Sequence, residues 1–355
     1  MFNVLRNWVD RFLSEEESLI LAILILSFGA VILTMGSILA PLLTGIVLAY
    51  IMQGIIKFMR RYSVPNSIAV ATTFVLFLGA FLGLLFFVIP LVWRQLRTLF
   101  NELPNMVSQT QGMLKDLPAN YPNIISDDQI NSWGDMLSAE VGDIGQWILS
   151  FSISQLPVLM AVAVYMVLIP ILVLFILKDK DAILAWCLSL LPNERPLMNR
   201  IAAEMDVQMA NYVRGKVVEI LIVSTATYVF FVLFGLKYAA LLAFLVGLSV
   251  IVPYLGIVVV TIPVVIIAYL QFGWTEHFFY LLGWYTLIQG LDGFVLVPLL
   301  FSEAVNLHPV AIITAVLVFG SWWGLWGVFF AIPLATLVKV ILTAWPHSVA
   351  EAEPE

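Results

Sequence analysis

QGLDGFVLVPLLFSEAVNLHP, residues 289–309, closes a long apolar run (FFYLLGWYTLI, 278–288) and carries Gln289 and Asp292 to lipid depth. A carboxylate at that depth costs about 3 kcal/mol unless it faces protein, water or an ion. Pro298 is expected to break the helix downstream, and His308-Pro309 opens a second Gly/Pro-interrupted apolar run. Polar groups beside interrupted backbone at membrane depth are how secondary transporters build a site.

The solvent follows from composition. The chain has 355 residues, 62% hydrophobic and only 11% charged. Soluble domains carry about 25% charged residues, so this one is built for lipid. Its formal charge of −7 sits in hydrophilic segments and implies no particular partner. No basic, aromatic-interleaved patch points to nucleic acid. The lone Cys187 excludes an internal disulfide and a cysteine metal cluster, and His277, His308 and His347 have no metal-ligand spacing. No phosphate-binding glycine loop, serine–histidine–acid set or H-E-x-x-H motif is present, so a non-enzyme with no cofactor is expected.

Outward from the opening stretch, the chain divides into five parts. Residues 1–93 hold an amphipathic interfacial lead-in (1–17) and apolar runs at 18–36, 38–56 and 66–92, each about a bilayer long. Lys57, Arg60 and Arg61 mark the loop after the second run as cytoplasmic. Residues 94–156 form an extracytoplasmic subdomain of amphipathic helices or, alternatively, helices lying along the membrane; Ser126 and Gln129 are spaced like a capping box. Residues 157–216 hold a run at 157–177 and a cytoplasmic loop with an amphipathic helix over 196–216, its Arg214 and Lys216 counted as solvated inner charges. Twelve of the 16 Lys/Arg then lie inside, which places both termini in the cytoplasm. Residues 217–345 form a transport core and 346–355 an acidic tail.

The core is a weak repeat: a run at 217–235 precedes a broken one at 238–270, and a run at 276–297 precedes a broken one at 309–342. Gly247, Gly256 and Pro263 match Gly320, Gly327 and Pro333. As one helix each broken run is ~45 Å long, too much for a core of ~30 Å; split at its break, each arm is ~20 Å and cannot span. The fold class is therefore an all-α polytopic membrane protein, with six full transmembrane helices plus two re-entrant hairpins as an inverted repeat, or with eight spanning helices. In the hairpin arrangement the tips near 253–256 and 320–327 meet at mid-membrane, where exposed backbone is tolerated only along a cavity.

VPYLG (252–256), Q-x-x-D (289–292), Pro298, LHP (307–309), the Gly324-x-x-Gly327 pair and AIPLA (331–335) resemble the autoinducer-2 exporter family of bacterial transporters. APLL and LAY in the second run, LKDKD (177–181) and NYVRGK (211–216) agree, and LDGFVLVPLLFSEAVNLHPVAII is most like the PerM permease branch. The resemblance implies the bacterial inner membrane, export or exchange of small solutes, homo-oligomers such as pentamers, hairpins and elevator-like movement. Substrates it implies range from autoinducer-2 to sodium or lithium against protons. Asp292 stands where many relatives carry Glu or Asn, so the resemblance leaves open whether a titratable group is required.

Asp292 is the first candidate for solute or ion binding, with a helix-capping role as the alternative. Gln289, three residues earlier on the same face, either joins it or makes an interhelical hydrogen bond. Glu219 is a further candidate for substrate or ion binding, with reaching the interface, from its place near the cytoplasmic end of its run, as the alternative. His308 either caps the second broken run or relays protons. Glu303 reads as a solvated loop charge. Pro253, Gly256, Gly320, Gly324 and Gly327 are expected to serve backbone geometry at the tips; Trp322, Trp323 and Trp326 form an interfacial belt or line a cavity. The function expected is a secondary transporter for a small polar solute, coupled to H+ or Na+. A Na+(Li+)/H+ antiporter and a non-transporting scaffold recruiting envelope partners through 94–156 are the alternatives.

Overall fold

The structure, a computed structural model, describes residues 16–115, 156–301 and 307–344. The lead-in helix, the capping box at Ser126, Glu303 and the acidic tail fall outside the described residues. Every element among the described residues is helical: α1 (Glu16–Arg61), α2 (Asn66–Gly83), α3 (Ile89–Lys115), α4 (Leu156–Lys178), α5 (Lys180–Ser189), α6 (Pro196–Leu233), α7 (Ala239–Ser249), α8 (Leu255–Phe272), α9 (Glu276–Leu291), α10 (Val297–Phe301) and α11 (Pro309–Ala344). Among the described residues eight helical stretches, two of them within α1, are long and apolar enough to cross a membrane, as expected of a polytopic chain.

Three departures from the sequence reading have physical causes. The runs 18–36 and 38–56 form one 46-residue helix, because Gly36 and Ser37 are tolerated within a helix when no turn follows. The segments 196–216 and 217–235 likewise form one 38-residue helix, α6, whose Arg214 and Lys216 lie mid-helix rather than in a loop. Finally, Pro298 does not end its helix. Its ring collides with the carbonyl four residues back, and the backbone relieves this by widening into a π turn over Asp292–Leu296. Pro90 does the same at Leu84–Val88, the same two-residue offset.

Packing is centred on α6. One core joins it to α7, α8 and α9 through Phe231, Leu242, Val264 and Leu281, all fully buried. A second joins α1, α2 and α4 around Ala49, Phe77 and Val173. The amphipathic half of α3 is continuous with the span before it and lays Leu96, Leu99 and Met106 on the first core. Its Gln95 Oε1 accepts the Leu241 N–H (2.8 Å), one of the otherwise unpaired amides at the start of α7. Gln95→Ala should therefore lower stability by ~1–2 kcal/mol, measured as a fall in unfolding midpoint; an unchanged midpoint would discount this remote cap. Nearby, the Tyr238 hydroxyl donates to Glu102 (2.7 Å). Burial first, then Glu102, hold that phenol protonated above its ordinary range, so its contribution lasts through neutral pH and is lost only as pH rises through the raised value.

Both broken runs double back. In the first, α7 and α8 are joined by residues 250–254, with Tyr254 at φ 64°, and a Cβ on Gly256 would fall on the Ser249 carbonyl. In the second, Gly324 adopts φ 59°, ψ −137°, and a Cβ on Gly327 would fall on the Phe319 carbonyl eight residues back. In a straight helix those two residues stand ~12 Å apart, so the chain has reversed. The arms are unequal, contrary to the expected ~20 Å each: α7 has 11 residues and α8 has 18, or ~16 and ~27 Å.

Candidate functional site

Two helices present polar side chains at i, i+4, i+7 spacing, which puts each set on one face. On α6 these are Tyr212, Lys216 and Glu219, all buried. On α9 and its π turn they are Tyr285, Gln289 and Asp292, with Gln289 9% exposed. The α6 face holds both reversals. Tyr212 donates to the Phe329 carbonyl (2.6 Å) on the return arm of the second, and Lys216 Nζ donates to the Val250 carbonyl (2.7 Å) at the tip of the first. The same Nζ pairs with Glu219 Oε2 at 2.8 Å and stands 5.2 Å from the centre of the Phe301 ring, one edge of which fills the space beside Gly215. On α9, Gln289 Nε2 donates to the Tyr285 hydroxyl (3.2 Å), which also meets Thr261 (2.9 Å).

These faces enclose a cavity of about 500 Å³ between α6, the first tip (Ser249–Tyr254), the π turn, α10 and the bases of α11. Two acceptors in it, Gln289 Oε1 and Asp292 Oδ1, are buried and have no hydrogen-bond partner. Buried acceptors are rarely left unpaired in a folded chain, so each calls for a donor from a bound species. Lys216, Glu219 and Asp292 sum to a formal charge of −1. The site thus suits a solute rich in O–H or N–H groups, or a monovalent cation. Among the described residues no cluster of three His, Cys, Asp or Glu is placed to hold a metal ion.

Of the residues proposed from sequence, Asp292, Gln289, Glu219 and Pro253 line this one cavity. Glu219 does not reach an interface; it is 2% exposed because Lys216 neutralises it in place. His308 lies outside the lining, exposed, its Nδ1 accepting the Val310 N–H as a cap on α11. Val252 of the first tip joins one cluster with Ala315, Val316 and Ala331 of the second run and with Phe319 and Val328, which flank its tip, while Trp323 at that tip covers Gly36 of α1. Gly320, Gly324 and Gly327 therefore shape the reversal away from the cavity, and Trp323 and Trp326 stack on Phe330 instead of lining it. Lys216 is the residue the sequence reading missed; its spacing from Glu219, three residues on, was the available signal.

Broken helices, a cavity with unpaired polar groups in its wall and several membrane-length helices define a polytopic helical membrane transporter. Residues 20–347 match the AI-2E family transporter family, and the chain belongs to it. PerM of Escherichia coli (strain K12), a protein named as a permease, is 41% identical over 346 residues, 98% of both chains. YueF of Bacillus subtilis (strain 168), named as a transport protein, is 25% identical over 317 residues, 88% of this chain and 85% of its own. YrrI of the same organism, also named as a transport protein, is 22% identical over 318 residues, 87% of each.

Proposed function

We propose that this protein is a secondary transporter that moves a small, hydrogen-bond-donating solute through the Gln289–Asp292 cavity. The two unpaired acceptors on the cavity wall carry this reading. The two backfolded segments act as re-entrant hairpins that carry the site past the rest of the bundle in an elevator-like, alternating-access cycle. Five helices then cross fully, α1 counting once because its two apolar runs form a single helix, with the C-terminus in the cytoplasm of a bacterial inner membrane, and the protein works as a homo-oligomer such as a pentamer. Coupling to H+ or Na+ falls to Asp292. Its unpartnered oxygen and the cavity's formal charge of −1 favour, as a second reading, Na+(Li+)/H+ exchange.

Purified protein in proteoliposomes, screened across polyols, small amines and alkali cations under imposed pH and Na+ gradients, tests both readings. Asp292→Asn replaces a charge-assisted hydrogen bond of ~1.5–3 kcal/mol, so flux at limiting solute should fall roughly ten- to a hundredfold with assembly unchanged. Wild-type flux in that variant would remove Asp292 from the site. No flux in any condition from the intact protein would favour the scaffold alternative.

A further inference from the structure

A second cavity, of about 450 Å³, lies on the other side of α6, between the C-terminal half of α1, the end of α4 and the start of α5. Arg214 faces it and Lys216 faces the first cavity; two residues turn a helix by about 200°, so the helix is a shared wall. Three cations line this second space: Lys57, Lys180 and Arg214. Its one carboxylate, Asp206, is engaged by the Tyr50 hydroxyl. Among the described residues no ion pair joins Lys57, Lys180 or Arg214 to a carboxylate, and Arg214 Nε is buried without a hydrogen-bond partner. Unpaired basic groups around a largely apolar space call for an anion that brings its own apolar body.

The cavity's shape supplies that body. Lys57 is four residues from the end of α1 and Lys180 begins α5 just beyond α4, so the basic mouth sits at helix ends, at headgroup level. Leu42 and Ile46 line the far end, and both are exposed on the lipid-facing side. Lys57 and Leu42 are fifteen residues apart on one helix, or ~22 Å, about half of a bilayer of ~40–45 Å with its headgroups. We propose that this cavity is a binding site for one anionic glycerophospholipid of the leaflet facing the Lys57–Arg61 loop. Lys57, Lys180 and Arg214 grip its phosphate, and an acyl chain lies along Leu42 and Ile46.

The test uses the full chain, delipidated in detergent and titrated with phosphatidylglycerol or phosphatidylcholine, with retained lipid read by native mass spectrometry. Three basic groups at about fivefold each predict a preference for phosphatidylglycerol of roughly a hundredfold. The Lys57→Gln, Lys180→Gln, Arg214→Gln triple variant should lose it, whereas Arg60→Gln, Arg61→Gln, which removes two neighbouring charges outside the cavity, should keep most of it. Should the triple variant aggregate, the wild-type preference and its survival in the Arg60/Arg61 variant still decide. Equal retention of the two lipids, or equal loss from both variants, overturns the site. Inorganic phosphate displacing the lipid at millimolar concentration would make it a free-anion site. A change in oligomeric mass with lipid retention intact would make it a subunit contact.

Discussion

Lys216→Met is expected to lower the folded-to-unfolded ratio by roughly two to four orders of magnitude, more than any other side-chain truncation in the cavity. The lysine is 6% exposed and Glu219 2%, and the bond between them is 2.8 Å. Removing one partner strands a charge on a group only 2% exposed, which costs ~3–5 kcal/mol. The pair itself is a different quantity: two apolar residues in its place are often neutral. Lys216→Met with Glu219→Leu should therefore recover most of the loss. It should not recover all, since the Val250 carbonyl loses its donor in both variants at ~1–3 kcal/mol. Thermal unfolding in detergent should rank wild type above the double variant and the double above Lys216→Met. An equal loss in single and double would show that the ion pair is not what holds the tip of the first broken run.

That same lysine marks the boundary of what the sequence made legible. Apolar runs of bilayer length are a one-dimensional signal, and the helices containing them were readable from it. Asp292 and Gln289 were readable too, because a carboxylate in an apolar run has few bland explanations. Lys216 was not, because a lysine ending NYVRGK beside an arginine has the composition of a cytoplasmic loop. Hydropathy treats each charge as solitary; here Glu219 and the Val250 carbonyl together make one tolerable at mid-helix. The second cavity's Arg214 was hidden by the same cut in α6. Pro90 and Pro298 announced a disturbance, but whether a helix stops, kinks or widens depends on what packs beside it, and here both widen.

The glycine pattern was informative about reversal and silent about destination. Gly256 and Gly327 each sit where the returning arm meets the carbonyl of the outgoing one, and that local demand leaves a mark in sequence. Which neighbour a tip then meets is set by helices remote in the chain. Trp323 finds Gly36 of α1, and Val250 finds Lys216 of α6. One helix face, bearing Tyr212 and Lys216, thereby fixes two reversals some eighty residues apart in the chain.

Gly256→Ala and Gly327→Ala should each destabilise the protein by at least ~1–3 kcal/mol, the range for overpacking into a filled space. The new methyl meets backbone, Ser249 in one case and Phe319 in the other, so no rotamer change can relieve it and the arms must part. Gly283 is the control: it lies inside α9 with open space where a Cβ would go, and alanine there should raise stability by up to ~1 kcal/mol through helix propensity alone. The decisive measurement is a double-mutant cycle. Parting α7 from α8 displaces Val250, so Gly256→Ala already weakens the bond that Lys216→Met removes, and the two should be less than additive by about 1 kcal/mol or more. Gly327→Ala opens a reversal held by Tyr212 through Phe329 instead, and should add to Lys216→Met within about 0.5 kcal/mol. Additivity in both cycles would mean that the lysine does not fasten the first tip, and the link between the ion pair and the broken backbone would have to be abandoned.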